Sequence, residues 1–148
     1  MTINDIINAI AKALSSKINN EIYVEWEDTA ERPSLYINCV DYKKTYASKH
    51  KELLNVTFDI IYFPTSANES RNIEILEKFE EINKCFDHYG KKYLKILDRA
   101  IYLNSVSTRI VDNTGHYMFD LDFYVEYGEY QTYELMQELQ LNFKGGNL

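Results

Sequence analysis

Chain-breaking residues are scarce: the 148 residues include only 5 Gly and 2 Pro. That excludes a low-complexity or collagen-like chain and leaves room for long regular elements. Cysteine is nearly absent, and Cys39 and Cys85 lie far apart, so the chain is not a disulfide scaffold. Positive charge is in deficit. Lys+Arg is 16 against Asp+Glu 23, a net charge of −7. A duplex-binding module would want a basic face, so that class is disfavoured. Apolar runs are only a few residues long, too short to span a bilayer. The opening MTINDIINAI lacks the basic segment and apolar core of a signal peptide, so the protein is expected to be intracellular when made. No HExxH, CxxC, GxGxxG or GKS/T motif occurs, and no metal or cofactor is expected.

What is present points to one folded domain over 1–148. Hydrophobic residues make up 45% and aromatics 14%, which excludes disorder. A domain of this length buries about two-thirds of its unfolded surface without a metal or disulfide. Tyr outnumbers Phe, 13 to 7. Tyr joins an apolar ring to a polar tip and suits half-wet interfaces.

Ile3, Ile6, Ile7, Ile10 and Leu14 recur at helical spacing, so 2–17 is predicted as a helix capped by Thr2, with Asp5 in its first turn. Alternation predicts strands over 21–26, with Ile22, Val24 and Trp26 on one side, and over 34–40, with Leu35, Ile37 and Cys39 on one side. The polar stretch 41–51 holds Tyr42, Lys43, Lys44, Tyr46, Lys49, His50 and Lys51. It is longer than hairpin closure demands and is expected as a functional, loop-like arm. Residues 52–63 form the longest strand signal, ended by Pro64.

A second helix is predicted over 68–89 on the spacing of Ile73, Leu76, Phe79, Ile82, Phe86 and Tyr89, with Gly90 as its stop. Glu74–Lys78 and Glu80–Lys84 would be its stabilising pairs. A short strand follows at 93–97, and 100–111 alternates loosely. Asp112-Asn113-Thr114-Gly115 carries hairpin-turn chemistry, and 116–127 alternates well. Residues 130–143 fit helix or strand, and 144–148 reads as a flexible tail. The expected architecture is α+β: one antiparallel, mostly meandering sheet of about six strands with both helices on one face.

Chemistry is sparse. His50, His88 and His116 read as solvated, and the two thiols as buried or half-buried. Asp120 and Asp122 project to one strand face, and Asp59 also points away from an apolar side. Three converging acids would bind a divalent cation and hydrolyse phosphodiesters. The simpler reading is the wet side of an alternating strand, and 117–130 contains no Lys or Arg to support a nuclease. The lysines and tyrosines of 41–51 resemble a stacking surface for nucleic acid, but Asp41 and Glu52 flank them and favour a solvated or partner-facing segment. These residues describe an acidic binding or assembly module.

The pattern resembles the tail terminator proteins of tailed phages and of phage-tail-like bacteriocin particles from Firmicutes. The residues carrying it are the NDIINAIAKAL helix, the strand pair EIYVEW and ERPSLYINCV with Glu31-Arg32-Pro33 ahead of the second, the LNVTFDIIYFP run with Phe58-Asp59-Ile60-Ile61-Tyr62-Phe63-Pro64, and the closing HYMFDLDFYVEY. The resemblance implies a structural protein and no enzyme. It implies a ring, usually hexameric, that caps the tail tube at its head-proximal end, stops elongation and joins neck proteins. Its partners would be other copies of itself, the tube protein, and sheath and head-completion proteins, met first in the bacterial cytoplasm and then in the particle. The family supplies no contact motif. On physical grounds a ring needs two different complementary patches. Tyr42, Lys43, Lys44, Tyr46 and Lys49 are candidates for oligomer or tube contact. Asp120, Asp122 and Glu126 are candidates for a channel or tube-facing surface that repels passing DNA. The alternatives are another head–tail connector, a metal-dependent phosphodiesterase using Asp59, Asp120 and Asp122, and an acidic inhibitor of a basic target.

Overall fold

The helix α1 (Ile3–Ser15) begins where the isoleucine spacing places it. The Thr2 hydroxyl accepts from the Asp5 amide at 3.2 Å, and the Asp5 carboxylate accepts from the Thr2 amide at 2.8 Å. This reciprocal cap satisfies two helix-end donors. Hydrogen bonding to the Thr2 amide holds the Asp5 carboxyl below its ordinary range. Ile6, Ile10 and Leu14 are fully buried.

A computed structural model describes residues 1–25 and 31–126. The expectations for Trp26, for the turn at 28–30, for Tyr127, for 130–143 and for the tail lie outside the described residues. After α1 come β1 (Glu21–Tyr23), β2 (Ser34–Ser48) and β3 (Lys51–Phe63). Next are α2 (Asn72–Phe86), β4 (Asp87–His88), β5 (Lys91–Ile96), β6 (Arg99–Tyr102), β7 (Asn104–Val111) and β8 (Thr114–Glu126).

The single antiparallel sheet expected from the sequence is not what forms. The strands divide into a five-stranded sheet, ordered β1-β2-β3-β8-β7, and a three-stranded sheet, ordered β4-β5-β6. The five-stranded sheet is mixed, because β1 runs parallel to β2 with Glu21 opposite Ser34. The stretch that alternates loosely from 100 to 111 is two strands, one in each sheet. The break falls at Leu103, between the two strands, whose amide donates to the Lys92 carbonyl. Ser105, at φ 54°, lies in a bulge at the start of β7, where the register with β8 shifts between Asn104 and Ser107.

Helix α2 is shorter than predicted and turned about its axis. It ends at Phe86 because Asp87 is already extended and β4 pairs with β5. Gly90 therefore serves the β4–β5 turn, at φ 83°, and does not stop the helix. The buried stripe is Ile75, Phe79, Ile82 and Phe86. Ile73, Leu76 and Tyr89, predicted to face the core, are exposed. The predicted Glu74–Lys78 pair does not form either. Lys78 pairs with Glu81 at 2.8 Å, and Glu74 is taken by Thr65 and Tyr62.

One core joins these layers. α1 packs on β2, β5 and α2, α2 packs on β8, β7 and β5, and β6 reaches β8. Phe58, Phe86, Tyr117 and Phe119 form its aromatic centre, with Phe86 and Phe119 centroids 5.6 Å apart. Each such side chain contributes about 1.5–3 kcal/mol on burial. Gly115 makes the helix–sheet approach possible: a Cβ there would lie 2.6 Å from Ile75 Cγ2. Two buried tyrosines keep a polar partner. Tyr117 donates to Asn83 at 2.6 Å and Tyr62 donates to Glu74 at 2.8 Å. Burial pushes both hydroxyls above their ordinary pKa.

Candidate assembly surface

The segment expected as a polar loop is the far half of a long β-hairpin. β2 continues through Ser48, the turn is Lys49-His50, and Ser48 pairs with Lys51. Residues 40 to 51 are all exposed. β8 lies on the other side of β3 as far as Glu126, opposite Lys51. The arm is thus a three-stranded ribbon, and its eight β2 residues from Asp41 reach roughly 25 Å at ~3.3 Å each.

A bulge at Val40 sets what the arm presents. The register shifts between Cys39 and Asp41, so the side-chain parity of β2 reverses there. Tyr42, Lys44 and Tyr46 fall on the face of Val56, Leu54 and Glu52, which is the core side. Lys43 falls on the opposite, open face beside Asn55, and Lys49 sits in the turn. Tyr46 is 79% exposed. Lys43 lies 4.0 Å from Asp41 and Lys51 lies 3.6 Å from Glu126. Among the described residues, no ion pair engages Lys44 or Lys49.

The predicted acids share the open face of the five-stranded sheet, but each is held by its own neighbour. Thr57 donates to Asp120 at 2.7 Å. Asp122 accepts from Asn55 and from Asn104, bridging β3 and β7 across β8. Asp59 is 7% exposed and hydrogen-bonded to His116 Nδ1 at 2.8 Å. Among the described residues, no three His, Cys, Asp or Glu side chains are grouped to hold a metal ion. The acids act as cross-strand pairs that pin the register. Asp122 and Glu126 are exposed and Asp120 is half-buried.

His116 is therefore not the solvated histidine that sequence reasoning predicts. The signal lay in the β3–β8 register, which no local pattern reveals. Two further features were missed for the same reason. On the small sheet, the Tyr93 ring lies 5.1 Å from His88 and 5.5 Å from Tyr102, and Lys91 sits over Tyr102 at 5.7 Å. On α2, the outward stripe carries Ile73, Leu76, Glu77 and Glu80. An open groove of about 660 Å³ runs between α1 and β5, with Asp5, Lys12, His88 and Lys95 in its wall. Its charges are mixed, and among the described residues none of the buried polar atoms left without a partner belongs to its lining. Burial raises both thiols above their ordinary pKa, which leaves neither activated as a nucleophile.

No helix among the described residues is long and apolar enough to cross a membrane. The surface thus offers an exposed ribbon, a laddered polar face and an outward helix face carrying Glu77 and Glu80. No curated protein matches the chain. A family model described as phage tail terminator protein matches residues 5–133, nearly the full span of the fold. The chain belongs to the phage tail terminator family, a structural family of tail components that assemble with other tail proteins.

Proposed function

We propose that this protein forms a ring on the head-proximal end of the tail tube, stops tube elongation and presents the attachment surface for neck proteins. The observation that carries this reading is the arm: a ribbon with exposed Tyr42, Tyr46 and lysines, in a chain that belongs to a tail terminator family. A ring needs two unlike patches on each subunit, and a projecting arm supplies one of them. Hexameric closure is the size we propose. The open face supplies the acids for a channel or tube-facing wall, with Asp122 and Glu126 exposed and Asp120 half-buried. A lumen of net negative sign repels phosphate, so DNA passes without adhering. Assembly takes place in the host cytoplasm, with tube protein as template and sheath or head-completion proteins as later partners.

Electron microscopy of particles made without this protein tests the reading. Overlong tubes without a neck ring are the expected outcome. Tubes of normal length that fail only to join heads would replace capping with a connector role.

A further inference from the structure

The arm and the outward face of α2 are complementary in charge and form, and they sit at opposite ends of the molecule. The arm displays Tyr42, Lys44 and Tyr46 on one side and Lys49 at its tip. The α2 stripe displays Ile73 at 70% and Leu76 at 48% exposure, followed by Glu77 and Glu80. Helical spacing puts these four on the side opposite Ile75, Phe79, Ile82 and Phe86. Among the described residues, Lys44, Lys49, Glu77 and Glu80 make no ion pair. Aromatic and apolar groups framed by opposite charges are what a specific contact uses.

One chain cannot satisfy itself. The start of α2 is bonded to the β7–β8 turn through Asn113, at the end of the sheet where β3 finishes and β8 starts. Ile75 and Phe79 lie over Gly115, and Phe86, at the helix end, reaches only as far as Phe119. The ribbon runs on past that level to Glu126, and the acidic stripe faces away from the sheet. The two patches can meet only between copies. A contact between unlike patches is head-to-tail and generates a ring when its rotation closes.

The geometry points to the arm of one copy seating on α2 of the next, with Tyr42 and Tyr46 against Ile73 and Leu76, and Lys44 and Lys49 against Glu77 and Glu80. This inference rests on the ring reading above and adds to it the identity of both surfaces.

Two charge-reversed chains test it: Lys44→Glu with Lys49→Glu, and Glu77→Lys with Glu80→Lys. All four positions are exposed, so unchanged circular dichroism and Tm will show that both fold. Ring formation on purified tube protein is read by electron microscopy and native mass spectrometry. Each variant alone is expected to assemble at least about tenfold more weakly than the wild type, because like charges then face each other. An equimolar mixture is expected to restore assembly as alternating rings, because every second contact then joins the two unreversed patches and the others join two reversed ones, so that opposite charges meet throughout. If the wild type caps tubes and both variants do so equally well, the arm–helix pairing is overturned while ring capping stands. Variants that fail alone and fail when mixed also overturn the pairing. A wild type that neither self-associates nor limits tube length overturns the ring reading and this contact with it.

Discussion

The five-stranded sheet ends in two hairpins, one at each end, and their surroundings differ. The β7–β8 turn is Asp112-Asn113, with both residues left-handed at φ 49° and 57°. Asn113 accepts from the Arg71 amide at 2.9 Å and donates to the carbonyls of Ser66 and Glu69 at 2.8 and 2.6 Å. Arg71 precedes α2 without a side-chain cap of its own, so this hairpin supplies the cap from a distance. The β2–β3 hairpin ends in exposed Lys49 and His50. One turn is tied to the start of a helix and the other is exposed. Burial therefore differs sharply between the two ends of the same sheet.

Removing the buried end of that comparison should do the most damage. Phe119→Ala should cost about 3–5 kcal/mol in urea unfolding, because it empties the aromatic centre where Phe58 and Phe86 meet. Gly115→Ala should cost about 1–3 kcal/mol, since its Cβ collides with Ile75 and Phe79. Asn113→Ala should also cost about 1–3 kcal/mol, by stranding the hydrogen bonds that tie turn to helix. Asn113→Gly keeps the left-handed backbone, so comparing the two variants separates turn strain from lost bonding.

A smaller effect depends on pH. Burial alone would raise the Glu74 carboxyl, but hydrogen bonds from Thr65 and Tyr62 and the charge of Arg71 bring it below its ordinary 4.5. A depressed folded pKa stabilises the fold above the unfolded value and is lost as pH falls through the folded one. The stability difference between wild type and Glu74→Gln should therefore be full at neutral pH, shrink below about pH 4.5 and vanish at lower pH, as read from urea midpoints. The exposed end should show the smallest change. Tyr46→Ser should move stability by no more than about 0.5 kcal/mol. A large loss there would mean that the arm serves the monomer's stability and would erase the contrast between the hairpins.

Much of the local structure was legible. Thr2 and Asp5 announced the first helix, Asp112-Asn113 announced a tight turn, and the alternation of 116–127 announced, as far as Glu126, which side of β8 is buried. Helix α2 was harder. Apolar residues occupy both of its sides, and periodicity cannot say whether Ile73 and Leu76 or Ile75 and Phe79 turn toward the core. Ile75 wins because Gly115 leaves space for it. The candidate site was legible only as a composition. The lysines and tyrosines of 41–51 marked an arm, but a bulge at Val40 decided which of them share a face. The acids marked a wet face, but only the β3–β8 register showed that Thr57, Asn55 and His116 hold them.

The scarcity of glycine, proline and cysteine, the deficit of positive charge and the period of the apolar residues were enough to mark an acidic chain of helices and strands whose sequence carries no metal or phosphate-binding motif. Those properties are read residue by residue or over a single turn. The split into two sheets, the orientation of α2, the pairing of the acids and the projection of the arm were decided by contacts between segments far apart in the chain. Their physical basis is register and coverage, which depend on what packs against a strand, while the strand's own sequence sets only which side chains alternate.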